Sequence, residues 1–263
     1  ETNRTTAELY DNVYSTHISL GKDSSFGQQE LWIVEFDPTR DNLSLDVTMG
    51  KDYSNQLCTV SNTVDIFNET NKDDKTAIAA INGDLWMTSY AHARVEGSGT
   101  SYGGHDDAVV TDSLTVPRGF NMYNGEVITT AHTSQEKPYE GDFYSFGITK
   151  DGTPVIGRPE LEISIENATS GDSTKATGLN RLPADNALMV YSDKGCFTNN
   201  SLDDAYEIVI DCDSDYTFAH GETITGKVTA IAAAGDKNPT MKENRIILTA
   251  RNKRIKSIDD YQI

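Results

Sequence analysis

The stretch TAIAAINGDLWMT, residues 76–88, places three chemically useful residues side by side. Asn82 brings a carboxamide, Gly83 a backbone without Cβ, and Asp84 a carboxylate. Two readings compete. Asn-Gly between apolar runs is a strong hairpin signal, because both residues tolerate the positive φ of a type I′ turn. The run before it, Ala77 to Ile81, does not alternate, however, and is expected to form a strand buried on both faces. Such a strand would deliver a carboxamide and a carboxylate to the edge of a core, where glycine permits close approach by a ligand. The site reading is preferred over the turn, because a long irregular stretch at 89–113 follows directly.

Two other acidic groupings carry possible chemistry. In DCDSDYTFAHGE, Asp211, Asp213, Asp215 and Glu222 stand at positions 1, 3, 5 and 12 of an EF-hand-type calcium loop. Position 6 of that loop requires glycine and is Tyr216 here, and the flanks read as strands rather than helices. A polar loop joining two strands accounts for the same residues, so calcium is carried only as an alternative. His105, Asp106 and Asp107 form a candidate metal or acid/base set, which an exposed acidic loop tip explains equally well. Nucleophile, phosphate-loop and dinucleotide motifs are absent from the sequence.

The elements that must position these residues are mostly strands. Runs at 15–20, 31–37 and 43–49, separated by turn-rich segments, read as an opening meander. Val60, Val64 and Phe67 recur at helical spacing, with Thr59 or Ser61 as N-cap, so a short helix is expected there. Asn124-Gly125 and Asp151-Gly152 mark two hairpins. Further strands are expected at 161–166, 187–192, 206–211, 223–232 and 245–251. The fold class is α+β, β-rich, with mixed or antiparallel sheets and few short helices. Residues 1–263 are expected to form a single β-rich module, with a sub-boundary near 158–180.

Composition limits the partners. Twenty-two basic residues against 41 acidic ones give a net charge of −19, which repels phosphate backbones and anionic lipid. No nucleic acid and no membrane insertion are expected, since no apolar run reaches the roughly 20 residues of a spanning helix. Cys58, Cys196 and Cys212 are an odd, sparse set without a CxxC, and a Cys196–Cys212 pair is left open by sequence.

The order of motifs resembles the phosphodiester glycosidase family, in its bacterial members: AIAAINGDLW, then PRGFNMYNGEVI (117–128), then FYSFGITKDGTPVIG (143–157). GLNRLPADNALMVYSDKGCFT (178–198), AYEIVI and GKVTAI look like the strands that follow in its larger secreted members. The resemblance implies removal of a sugar linked through its anomeric carbon to a phosphodiester, by a secreted or cell-surface protein. It implies Asp84 as the catalytic carboxylate and Asn82 and Gly83 as part of the pocket. Arg118 would bind substrate through its planar guanidinium, and Asn180 matches a recurring asparagine. The family's late Arg-rich and LDGGGS segments have no counterpart here, so the chain is expected to be the N-terminal portion of a longer polypeptide, with weak or no turnover alone. The alternative is a non-catalytic module binding glycan or a partner through Trp86, Tyr90, Tyr102 and the acidic loop.

Overall fold

The computed structural model describes residues 1–48, 58–83, 86–87, 116–117, 119–131, 144–181, 186–195, 205–233, 236 and 239–258. The protein is strand-rich α+β, and the chain divides into two compact units: residues 1–48 with 60–81, and residues 49–59 with 82–263. The stretch 158–180 lies inside the second unit.

The first unit is a three-stranded antiparallel meander of β1 (Asn3–Tyr10), β2 (Val13–Leu20) and β3 (Gln29–Glu35), with one helix, α1 (Val60–Thr70). Asn12, at φ 59°, closes the β1–β2 turn, a conformation asparagine adopts readily. Val13 and Thr16 are its buried residues in β2, whereas β1 and β3 are exposed along their whole length. The expected helix forms and begins immediately after Thr59. Two expected strands do not form. Residues 43–48 are irregular, and Leu45 and Val47 are about half exposed. The apolar run 76–81 is likewise irregular; Ala77 is half-buried, while Ile78 and Ile81 are exposed. Three of its six side chains are alanines, which offer little apolar area. Among the described residues no strand pairs with it, and an apolar run without a partner gains no burial.

The second unit opens with two-residue strands β4 (Trp86–Met87) and β5 (Val116–Pro117), which pair antiparallel. The hairpin β6 (Asn121–Tyr123) and β7 (Glu126–Thr129) turns on Asn124 (φ 49°) and Gly125 (φ 83°), the two positive values a type I′ turn demands. The hairpin of β8 (Ser145–Ile148) and β9 (Pro154–Gly157) turns through Gly152 at φ 85°. A third pair joins β10 (Ser164–Glu166) to β11 (Ser173–Lys175).

The centre of the unit is a five-stranded mixed sheet in the order β12-β13-β16-β14-β15. Its members are β12 (Gly178–Leu179), β13 (Leu188–Ser192), β14 (Ala205–Cys212), β15 (Gly226–Ala232) and β16 (Arg245–Arg251). Only the β12–β13 pairing is parallel. The register puts Leu188, Val190, Ala250, Leu248, Ile246 and Ile208 on one face, where they form the core with Val127, Leu179, Tyr216, Phe218 and Ile258. The opposite face carries Met189, Tyr191, Thr249, Ile247, Glu207 and Val209, which are also buried. Strands covered on both sides read as continuous apolar runs, as LMVYS and RIILTA do. A 3-10 turn, Asn252–Ser257, closes the described chain and delivers Ile258 to the core.

Candidate functional site

A buried polar cluster lies where β12 ends. Gly178 fits close against β7 and β13: a Cβ there would come within 2.9 Å of the Thr130 hydroxyl and 3.4 Å of the Met189 sulfur. Asn180 follows at φ 52°, fully buried, a conformation asparagine tolerates better than most residues. Its carboxamide Nδ2 donates to the Ile128 carbonyl at 2.7 Å and to Ser192 Oγ at 2.9 Å. Its Oδ1 accepts from the Ser192 amide at 2.8 Å. The Asn180 amide itself donates to the Val190 carbonyl at 2.8 Å. One side chain thus ties β7, β12 and β13 together. The fit is close on its far side too, since a Cβ on Gly195 would fall 1.9 Å from Asn180 Nδ2.

Arg181 is also fully buried, and its guanidinium donates to the Pro117 carbonyl. Its own carbonyl accepts from the Tyr191 hydroxyl at 2.6 Å. Thr130 completes the cluster: its amide donates to the Leu179 carbonyl, and its hydroxyl accepts from the Leu179 amide at 3.0 Å. On the same sheet face as Tyr191, Glu207 is 2% exposed and accepts from Thr249 Oγ1 at 3.0 Å. Fully buried ionisable side chains are costly and concentrate at sites that use them. Sequence reasoning passed over Arg181 and Glu207. An RLP loop start and an alternating AYEIVI strand carry no local sign that these charges turn inward.

The expected site residues are placed as follows. Asn82 and Gly83 are exposed at the end of the irregular 76–83 segment. Gly83 does not take the left-handed φ of a type I′ turn, and among the described residues no atom beyond its chain neighbours lies within 4 Å of where its Cβ would be. Trp86–Met87 pairs with Val116–Pro117 rather than back onto 76–81, so the hairpin reading is not realised. Asp84, Arg118, Tyr90, Tyr102, His105, Asp106 and Asp107 lie outside the described residues, although Arg118 immediately follows the strand that Arg181 braces.

The acidic stretch after β14 is bound up internally. Asp211 faces Arg245, with Nε to Oδ1 at 2.7 Å, and Lys242 at 2.9 Å. These two cations hold its carboxyl down to about 2, Arg245 contributing most. Asp215 Oδ1 accepts from Asn244 Nδ2 at 2.8 Å. The Tyr216 hydroxyl donates to Asp193, whose other oxygen accepts from the Asn244 amide. Burial, reinforced by Asp193, pushes the Tyr216 hydroxyl far above its ordinary range. Asp211 is therefore turned into a salt bridge, while Asp215 and Glu222 share the rim of an open pocket of about 440 Å³ with Ser214, Thr217, Thr223 and Thr225. Among the described residues no group of three or more His, Cys, Asp or Glu side chains is placed to hold a metal ion.

Cys58 and Cys212 are free thiols, and Cys196 lies outside the described residues. Burial, together with Asp193, Asp211 and Asp213, pushes the Cys212 thiol up to about 11, the opposite of what a reactive thiol needs. Among the described residues no helix is long and apolar enough to cross a membrane. No protein-family model, curated protein or solved structure matches the chain.

Proposed function

We propose that the chain is a carbohydrate-processing module of a secreted or cell-surface protein, acting on sugar-1-phosphodiesters in the manner of the phosphodiester glycosidases it resembles. One observation carries the reading: two stretches that bear the resemblance meet at one point. Asn180, from GLNRLP, holds the Ile128 carbonyl at the end of PRGFNMYNGEVI, and Arg181 holds the Pro117 carbonyl at its start. Hydrogen bonds across 52 and 64 residues of sequence bring the two motifs to one place, and that convergence supports a shared site.

In this reading Asn180 and Arg181 are positioning residues. Their hydrogen bonds fix the segment carrying Arg118, whose planar guanidinium binds the phosphodiester by two-point contact. Asp84 donates a proton to the departing phosphate oxygen as the bond to the anomeric carbon breaks. Water then adds to that carbon and returns a proton to the carboxylate, leaving a free sugar and a phosphate monoester. A second carboxylate facing the positively charged transition state completes such a mechanism.

A non-catalytic glycan-binding module is the second reading. It is favoured by the pocket of hydroxyls and carboxylates at 214–225, which offers several hydrogen-bonding groups to a polyol. A panel of aryl sugar-1-phosphodiesters separates the two. The first reading expects saturable binding and slow release of reducing sugar, with release abolished by Asp84→Asn and binding weakened by Arg118→Ala. Binding of neutral oligosaccharides without any release overturns it in favour of the second reading. Failure of both ligand classes to bind overturns both.

A further inference from the structure

The two edges of the β1–β2–β3 sheet are built differently. At β1 the edge reads NRTTAELY, carries Arg4 and Glu8, and is broken by a register shift between Glu8 and Tyr10. Charged side chains and bulges are devices that keep a free edge from pairing with foreign strands. At β3 there is no bulge, and its two charges, Glu30 and Glu35, stand only near its ends. Its seven residues pair with β2 in unbroken register from Tyr14–Glu35 to Leu20–Gln29, and among the described residues no strand pairs with its other edge. Leu31, Trp32, Ile33 and Val34 run consecutively along it, and Trp32 is 69% exposed. Trp32 is held upright by stacking on His17, with ring centroids 4.8 Å apart and planes 9° from parallel. His17 is fixed in turn by Glu30 at 2.7 Å.

Acidic groups bracket this apolar stretch, Glu30 at one end and Glu35 with Asp37 at the other. We infer that β3 is a docking edge for an extended segment of a partner protein, apolar at alternate positions in its middle and basic at both ends. Main-chain pairing along about 23 Å of strand supplies the adhesion. Leu31 and Ile33 on one face and Trp32 and Val34 on the other receive the alternating side chains. Charge complementarity selects a basic segment. It also argues against a second copy of this chain, which would bring its own net charge of −19 and the same acidic brackets to the interface.

Fluorescence anisotropy with a labelled heptapeptide, KTVTITK, and its charge-reversed counterpart, ETVTITE, tests this on the full chain. KTVTITK is expected to bind saturably, about tenfold more tightly than ETVTITE. Its affinity should fall as salt is raised, because the brackets are exposed. Ile33→Pro should abolish binding. Because that change could also disturb β2–β3, the Glu30→Lys/Glu35→Lys variant provides an independent reading: its preference should switch to ETVTITE. Three results would overturn the inference: no binding of either peptide, equal binding of both, or a 58 kDa species by light scattering that Ile33→Pro converts to 28.8 kDa, roughly the mass of one chain.

Discussion

Asn180→Ala is the most informative single change. It leaves the Ile128 carbonyl and the Ser192 amide, both buried, without the partners they have at 2.7 and 2.8 Å. Each stranded group costs about 1–3 kcal/mol. Alanine at φ 52° adds about 1 kcal/mol, because its Cβ crowds the following carbonyl in the left-handed region. The sum, roughly 3–7 kcal/mol, is a large share of the roughly 5–15 kcal/mol by which a domain is stable. Asn180→Gly loses the same hydrogen bonds without the strain, so it should be about 1 kcal/mol less destabilised than the alanine variant. Urea unfolding followed by circular dichroism gives the total. Amide exchange at Ser192 gives the local effect, because that amide donates to Asn180 Oδ1. A variant within about 1 kcal/mol of the parent, with Ser192 still protected, would refute the role assigned to this carboxamide. Equal destabilisation by glycine and alanine would refute the strain component only.

Other changes follow from the same geometry. The Asp211 carboxyl sits at about 2 in the folded chain against an ordinary 3.8, so its ion pairs stabilise the fold above the higher value, and that contribution is lost as pH falls toward the lower. Urea midpoints of the parent should therefore drop between these pH values by more than those of Asp211→Asn; parallel curves would contradict the pairing with Arg245. With its thiol pushed up from 9.0 to about 11, Cys212 should alkylate at pH 8 about a hundredfold more slowly than a free thiol, and rates equal to a model thiol by mass spectrometry would contradict its burial. Among the described residues Gly125→Ala meets no atom within 4 Å beyond its chain neighbours, so its cost of about 1–2 kcal/mol should come from φ 83°, and thermal melts should show no loss at all if the turn is not type I′.

What the sequence disclosed depended on whether the deciding physics was local. The Asn124-Gly125 hairpin is legible because two φ values and the residues that tolerate them decide it. Helix Val60–Thr70 is legible from a 3.6-residue period, and four strands of the central sheet, β13 to β16, from apolar runs bounded by turns, whereas the two-residue β12 is not. The run 77–81 looks the same on paper as Leu188–Val190, since both are continuous and apolar. What separates them is a partner. β13 lies between β12 and β16, whereas no described strand pairs with 76–81, and no pattern within six residues encodes that difference.

The same distinction governs the site. Asn82-Gly83 has the composition of a turn but not its backbone, while Asn180, with no glycine beside it, takes a left-handed conformation. The positive φ at Asn180 is imposed from a distance, by Ile128 and Ser192 accepting and donating to one carboxamide. Local preference only made the conformation inexpensive; the tertiary hydrogen bonds made it necessary. Arg181 carries the argument further, because a buried guanidinium bound to the Pro117 carbonyl turns a sequence gap of 64 residues into direct contact. If that contact exists to place Arg118, then Arg181→Lys, which keeps the charge but loses the planar fork, should weaken sugar-phosphodiester binding as Arg118→Ala does. If it serves packing alone, Arg181→Lys should lower stability and leave binding intact in the folded fraction, and ligand titration of the folded variant decides between them.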